Sequence, residues 1–202
     1  MASHMEKVRA FIAINLPPGI IAELEKLQKT LRAQCPSGSV RWSGPHQMHL
    51  TLRFLGEIEV RSVAEVETAM RHACQGIAPF SLTAQHLGCF PNRRHPSVIW
   101  AGISGDTERL QDLQTRLEQA TASIGKPVEK RPFHPHLTLG RVKTTHHGEA
   151  REIGRIVEAT AVAALGQWTV REVHLMRSEL FPKGAIYTSL SSIQLTPVAS
   201  YP

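Results

Sequence analysis

The 202-residue sequence predicts an α+β fold: two pseudo-symmetric lobes of mainly antiparallel sheet with helices on the outside. Three observations carry that prediction. Strand-like and helix-like segments follow one another without regular βαβ alternation, which favours antiparallel pairing over a doubly wound parallel sheet. The tetrapeptide H-L-T-L occurs twice, beginning at His49 and at His136, with a helix between strand pairs in each half, as a duplicated lobe would produce. Hydrophobic residues make up 42% and charged residues 20%, so a chain of this length has the material for a packed core and not for extended disorder.

Each element follows from local pattern. The stretch VRAFIAINL, Val8 to Leu16, has the β-branched and aromatic content of a strand, and PPG stops it. Residues 20–34 place Ile20, Ile21, Leu24, Leu27 and Leu31 at helical spacing. SVRW and HLTLRFLG read as strands separated by the breaker SGP, and residues 60–75 as a helix with Val63, Val66 and Met70 on one face. FSLTAQHLGCF and SVIWAGI form a strand pair across the Pro-bounded loop PNRRHP. The strongest helical pattern is DTERLQDLQTRLEQATASIG, with Asp106 as N-cap, Leu110, Leu113 and Leu117 on one face, and Gly125 as its stop. HLTLGRV is a strand and residues 150–163 a weaker helix. WTVREVHLMRS and AIYTSLSSIQL close the chain as strands joined by FPKG, for roughly seven strands and four helices.

Composition narrows the class further. Lys and Arg outnumber Asp and Glu by 23 to 17, which favours a polyanionic partner such as nucleic acid. No stretch approaches the ~20 apolar residues of a membrane span, and no secretory signal opens the chain, so a cytoplasmic monomer without membrane contact is expected. Cys35, Cys74 and Cys89 are far apart and form no CxxC pair, which predicts reduced thiols. Within the opening MASHM, residues 1–4 read as a cloning remnant ahead of Met5, leaving 5–202 as one bilobal domain and His4 outside any site.

The repeated tetrapeptide carries the chemistry. In a strand, residues i and i+2 share a face about 6.5–7 Å apart, so His49 and Thr51 look one way while Leu50 and Leu52 look to the core. His136 and Thr138 repeat the arrangement. Paired about a pseudo-two-fold axis, the polar faces bring together two imidazoles and two hydroxyls. Two histidines with ordinary values near 6.5 can be held in opposite protonation states at neutral pH, one accepting and one donating a proton. That suits in-line displacement at phosphorus, with hydroxyls donating to the non-bridging oxygens and no metal or other cofactor required. A zinc site from His134, His136, His146 and His147 is the weaker reading, because no carboxylate or thiolate stands at a suitable spacing and His49 stays unexplained.

These motifs, with RFLGE after the first and GR after the second, resemble the 2H phosphoesterase superfamily, and more narrowly the RNA 2′,3′-cyclic phosphodiesterases once named 2′-5′ RNA ligases. RAFIAINLP and LMRSELFPKGAIYTSL resemble that family's first strand and closing segment, so the likeness spans nearly the whole chain. It implies a central active-site cleft and hydrolysis of RNA 2′,3′-cyclic phosphate ends, or small cyclic nucleotides, to 2′-phosphomonoesters. It also implies His49 as proton donor, His136 as proton acceptor, and phosphate binding by Thr51, Thr138 and Arg141. Strict alternation sets Arg141 opposite His136, so its reach depends on a bend at Gly140. Phe11 and Phe54 are read as core packing or as platforms for stacking on a base, Arg53 on the His49 face as meeting phosphate or as solvated or ion-paired, and Tyr187 as a candidate for a hydrogen bond near the cleft. Arg93, Arg94 and His95 are read as a solvated loop tip or an extension of the RNA surface. The alternatives are reversible 2′-5′ ligation by the same residues and a non-enzymatic module that binds RNA ends.

Overall fold

A computed structural model describes residues 6–144, 146–182 and 184–197. The MASHM opening, His4 included, and Lys183 of the FPKG turn lie outside the described residues. The elements in chain order are β1 (Lys7–Asn15), α1 (Pro18–Gln34), β2 (Val40–Trp42), β3 (His49–Glu59), α2 (Val63–Cys74), β4 (Gln75–Gly76), β5 (Phe80–Phe90), β6 (Val98–Gly105), α3 (Thr107–Ala120), β7 (His136–Val142), α4 (His147–Ala159), β8 (Gly166–Val170), β9 (Glu172–Phe181), β10 (Gly184–Gln194) and β11 (Thr196–Pro197).

Eight strands follow the order β10-β9-β1-β3-β7-β6-β5-β8, all antiparallel, and β2 pairs beside β3 on the same edge of β7. The centre of this row is a seam. There β3 and β7 share one paired position, Leu50 with Leu137, whereas every other junction is a ladder of several residues. Four strands on each side of the seam make the two lobes. α2 and α3 cover the β3 side, and α1 and α4 cover the β7 side. Each lobe draws on both halves of the sequence, since α1 crosses to the second lobe and α3 returns to the first.

Between helices and sheet lies one core. On β1 the residues Val8, Ala10, Ile12 and Ile14 point into it, and at the seam Leu50 and Leu137 are fully buried. Burying each such side chain contributes about 1.5–3 kcal/mol, which holds the strands flat against the helices. A smaller apolar cluster of Phe11, Ala13 and Met176 lies on the opposite face of the first lobe.

Three local expectations change. The segment WTVREVHLMRS is two strands broken at Arg171, because β8 joins the edge of one lobe and β9 pairs with β1 in the other. Asp106 does not cap α3 with its side chain; its Oδ2 accepts a hydrogen bond from the Ser81 backbone N–H at 3.0 Å. α3 ends at Ala120, before Gly125, whose φ of 73° and close approach to the Leu55 carbonyl serve the return toward β3. Cys35, Cys74 and Cys89 are free thiols, the latter two buried and pushed up to about 11 by desolvation.

Candidate functional site

Leu50 and Leu137 face the helices, so the residues flanking them in each strand face the other way. One step along the antiparallel register from that pair sets His49 toward Thr138, and Thr51 toward His136. Opposed Cβ atoms in a regular pair are about 4.5–5.5 Å apart and diagonal ones about 7–8 Å. The ladder stops at the seam pair, which leaves His49 and His136 on the diagonal, near enough for the charge of one to act on the other. The quartet thus alternates imidazole and hydroxyl on one face of the seam.

Regular alternation fails just beyond each motif. In the β1–β3 ladder Ile12 pairs with Arg53 and Ala13 with Thr51, so Leu52 is an extra, bulged residue. In the β6–β7 ladder Ile99 pairs with Gly140 and Trp100 with Thr138, so Leu139 is bulged in the same way. A bulge inserts one residue and reverses the facing of everything after it. Arg141 therefore emerges on the His136 side, as does Phe54 on the His49 side. The bend that Arg141 requires comes from the last leucine of the motif and not from Gly140.

The same bulge corrects the expectation for Arg53. It is 4% exposed and turned toward the helices, where it pairs with Glu118 at 3.4 Å and donates to the carbonyls of Thr121 and Lys126, both at 3.1 Å. Arg53 fastens the end of α3 to β3 and cannot meet a phosphate in the cleft. On the other strand the bulge is fixed from α1, where buried Gln28 donates through Nε2 to the Leu139 carbonyl at 2.6 Å and to the Ser43 carbonyl at 2.9 Å. The Ser43 backbone N–H donates to the same Leu139 carbonyl at 2.9 Å.

Phe11 is corrected as well. Its ring is 3% exposed, with its centroid 4.8 Å from that of His49, so it props the imidazole and offers no face to a base. Phe54, 6.1 Å from Phe11, is 59% exposed and does offer one. Tyr187 stands edge-on to both His49 and Phe11, at 5.2 and 5.0 Å. Two neighbours escaped sequence reasoning. Phe90 meets His136 edge-on at 4.9 Å, and Trp100 lies 5.1 Å from Phe90 on the strand position paired with Thr138. Their only signal was the β5–β6 hairpin itself, whose register against β7 is not readable from spacing. Arg93, in the loop after β5, pairs with Glu158 of α4 at 2.7 Å, and its main chain abuts Gly154, so that loop is pinned to the second lobe.

The aromatic surroundings set the electrostatics. Burial pushes His49 down to about 4, with the nearby His136 adding to the effect and the main chain at Gln47 opposing it. Burial also lowers His136, opposed by a hydrogen bond to the His134 carbonyl and reinforced by the charge of Arg141. Both rings are thus held toward the neutral form at pH 7. This differs from the opposite protonation states expected from ordinary values, because sequence spacing carries no information on desolvation. The His136 contact fixes its tautomer. Nδ1 lies 2.8 Å from the His134 carbonyl, which can only accept, so Nδ1 carries the proton and Nε2 presents a lone pair. Among the described residues no three His, Cys, Asp or Glu side chains are grouped to hold a metal ion, and no helix is long and apolar enough to cross a membrane.

Comparison with known proteins accounts for the twofold pattern. The model of the LigT-like phosphoesterases matches twice, over residues 14–100 and again over 102–187, each match containing one H-L-T-L. The chain belongs to the LigT-like phosphoesterase family. It is 33% identical to the RNA 2′,3′-cyclic phosphodiesterase of Methanothermobacter thermautotrophicus over 94% of this chain and 100% of that protein. It is 31% identical to the protein of the same name from Archaeoglobus fulgidus, over 91% of this chain and 98% of that one. Among solved structures, TT0787 of Thermus thermophilus superposes with a TM-score of 0.75 at 30% identity, covering 93% of this chain and 97% of that one. E. coli LigT complexed with 3′-AMP gives 0.74 at 27% identity, covering 95% and 99%. This LigT-like chain is accordingly a phosphoesterase with the two-lobed α+β fold of its family.

Proposed function

We propose that this chain hydrolyses RNA 2′,3′-cyclic phosphate ends to 2′-phosphomonoesters, using His136 as base and His49 as acid. The convergence of two H-x-T faces on one seam carries the reading: it offers a phosphate two proton-transfer groups on opposite sides and two hydroxyl donors between them. The names of the relatives support the substrate class. The Nε2 lone pair of His136 takes a proton from water as the water oxygen attacks phosphorus. The bond from phosphorus to the ribose 3′ oxygen breaks, and the His49 proton passes to that oxygen. Thr51 and Thr138 donate to the non-bridging oxygens, where charge builds, and the Arg141 cation stands beyond Thr138 on the same face. That the 3′ oxygen leaves follows from the family resemblance, since two histidines could open the ring either way.

With His49 held toward its neutral form, the substrate becomes part of the acid. A bound phosphate anion beside His49 stabilises its imidazolium against desolvation, so the proton is taken up with the substrate. Incubation of the protein with an oligonucleotide ending in a 2′,3′-cyclic phosphate, in the presence of EDTA, tests the reading. A 2′-phosphomonoester is the expected product. Loss of activity with EDTA, or a 3′-phosphomonoester, would overturn the metal-independent mechanism or its direction respectively.

A further inference from the structure

Arg41, which sequence analysis passed over, stands directly opposite Arg141 in the β2–β7 ladder. Its neighbours Val40 and Trp42 turn toward the helices: both pack on the main core, and a methyl group at Gly140 would lie 2.7 Å from Val40 Cγ1 and 3.2 Å from the Trp42 ring. Period-2 alternation then directs Arg41 to the cleft face. Arg141 reaches that face by the bulge at Leu139, and both arginines are exposed. Like charges directly opposed across a ladder are destabilising. No ion pair among the described residues involves either side chain.

Two unneutralised guanidinium groups on one face, beside a cleft suited to phosphate, form a site for a second anion. The pair is two ladder positions beyond Thr138, about 7 Å along β7, to which each side chain adds its own length. A sugar separates one phosphate of an RNA chain from the next on this scale. We propose that Arg41 and Arg141 together grip the phosphodiester that precedes the cyclic phosphate, making Arg41 a specificity residue that favours RNA ends over mononucleotides. The inference rests on the hydrolase reading for the identity of the first phosphate.

Two matched dinucleotides test it, both ending in a 2′,3′-cyclic phosphate, one with an ordinary phosphodiester linkage and one with a neutral methylphosphonate. The expected result is that the protein prefers the charged linkage about tenfold in kcat/KM, that Arg41→Gln removes most of the preference, and that Arg41→Lys retains part of it. Equal loss on both dinucleotides in Arg41→Gln would overturn the proposal, because Arg41 would then serve the reacting phosphate. An unchanged preference would overturn it too. Fluorescence anisotropy with the corresponding 2′-phosphate-ended dinucleotides gives a readout without turnover. If no cyclic phosphate is hydrolysed, the hydrolase reading fails, while the binding preference and its loss in Arg41→Gln still decide the role of Arg41.

Discussion

The two strands of the seam start alike and end differently. From His49 and from His136 each runs His-Leu-Thr-Leu, buries the first leucine, bulges at the second and reverses its facing. The next two residues are Arg53 and Phe54 in β3 but Gly140 and Arg141 in β7. On the helix side, Arg53 spans to the end of α3, whereas Gly140 leaves a gap that Val40 and Trp42 occupy. The glycine thus admits β2, and β2 brings Arg41 beside Arg141. On the cleft side, one lobe presents an aromatic ring and the other a cation. Duplication supplied a shared backbone device, and divergence after it gave one wall an apolar surface and the other an anionic ligand's counter-charge.

The comparison breaks most sharply at the histidines. His136→Ala removes the proposed base, and kcat is expected to fall by about 10²–10⁴, the usual contribution of a positioned acid or base. His49→Ala is expected to fall similarly; near wild-type turnover in either variant would dissolve the paired roles. Next in size is Arg53→Ala, which strands Glu118 and unties α3 from β3. Removing one partner of a buried pair costs about 3–5 kcal/mol, to be read from urea unfolding. Gly140→Ala, the matching position, is expected to cost about 1–3 kcal/mol through collision with Val40, and to lower activity on RNA ends by displacing β2.

Acid probes the burial of His49 through stability. His49 is lowered to about 4 in the folded chain against about 6.5 unfolded, so the unfolded state binds its proton first as pH falls. Stability is therefore expected to fall between about pH 6.5 and 4, by about 3–4 kcal/mol from His49, and to level below. His49→Gln should flatten that part of the curve. A pH-independent difference between the two proteins would contradict burial of a neutral ring. The smallest effect belongs to the aromatic wall: Phe54→Ala is expected to raise KM for RNA ends about tenfold while sparing the fold, consistent with about 1–3 kcal/mol for a base stacked on an exposed ring. An unchanged KM would leave Phe54 without a base to bind.

How much of this was legible follows from what each inference required. The segments, their antiparallel pairing and the duplication were open to pattern reasoning because side-chain periodicity reports which face is buried. Arg53 departs from the expected face because alternation does not survive the bulge at Leu52, and a bulged leucine is as apolar as a regular one; Phe11 stays on the cleft side but is covered by the rings of His49 and Tyr187, contacts that spacing does not report. The loop from Arg93 to His95 is exposed, as its sequence indicates, while the Arg93–Glu158 ion pair joins residues 65 apart and lies beyond the reach of local pattern.

By itself the sequence determined that two His-x-Thr faces exist, that leucines anchor each strand, and that the halves are copies, since all three are matters of spacing within a segment. Tertiary structure alone decided that the faces meet at one paired position, that the rings are desolvated toward neutrality, and that Arg41 stands across from Arg141. Those depend on register between strands distant in the chain and on the packing around them, and register and packing are fixed by what a residue meets, not by what precedes it.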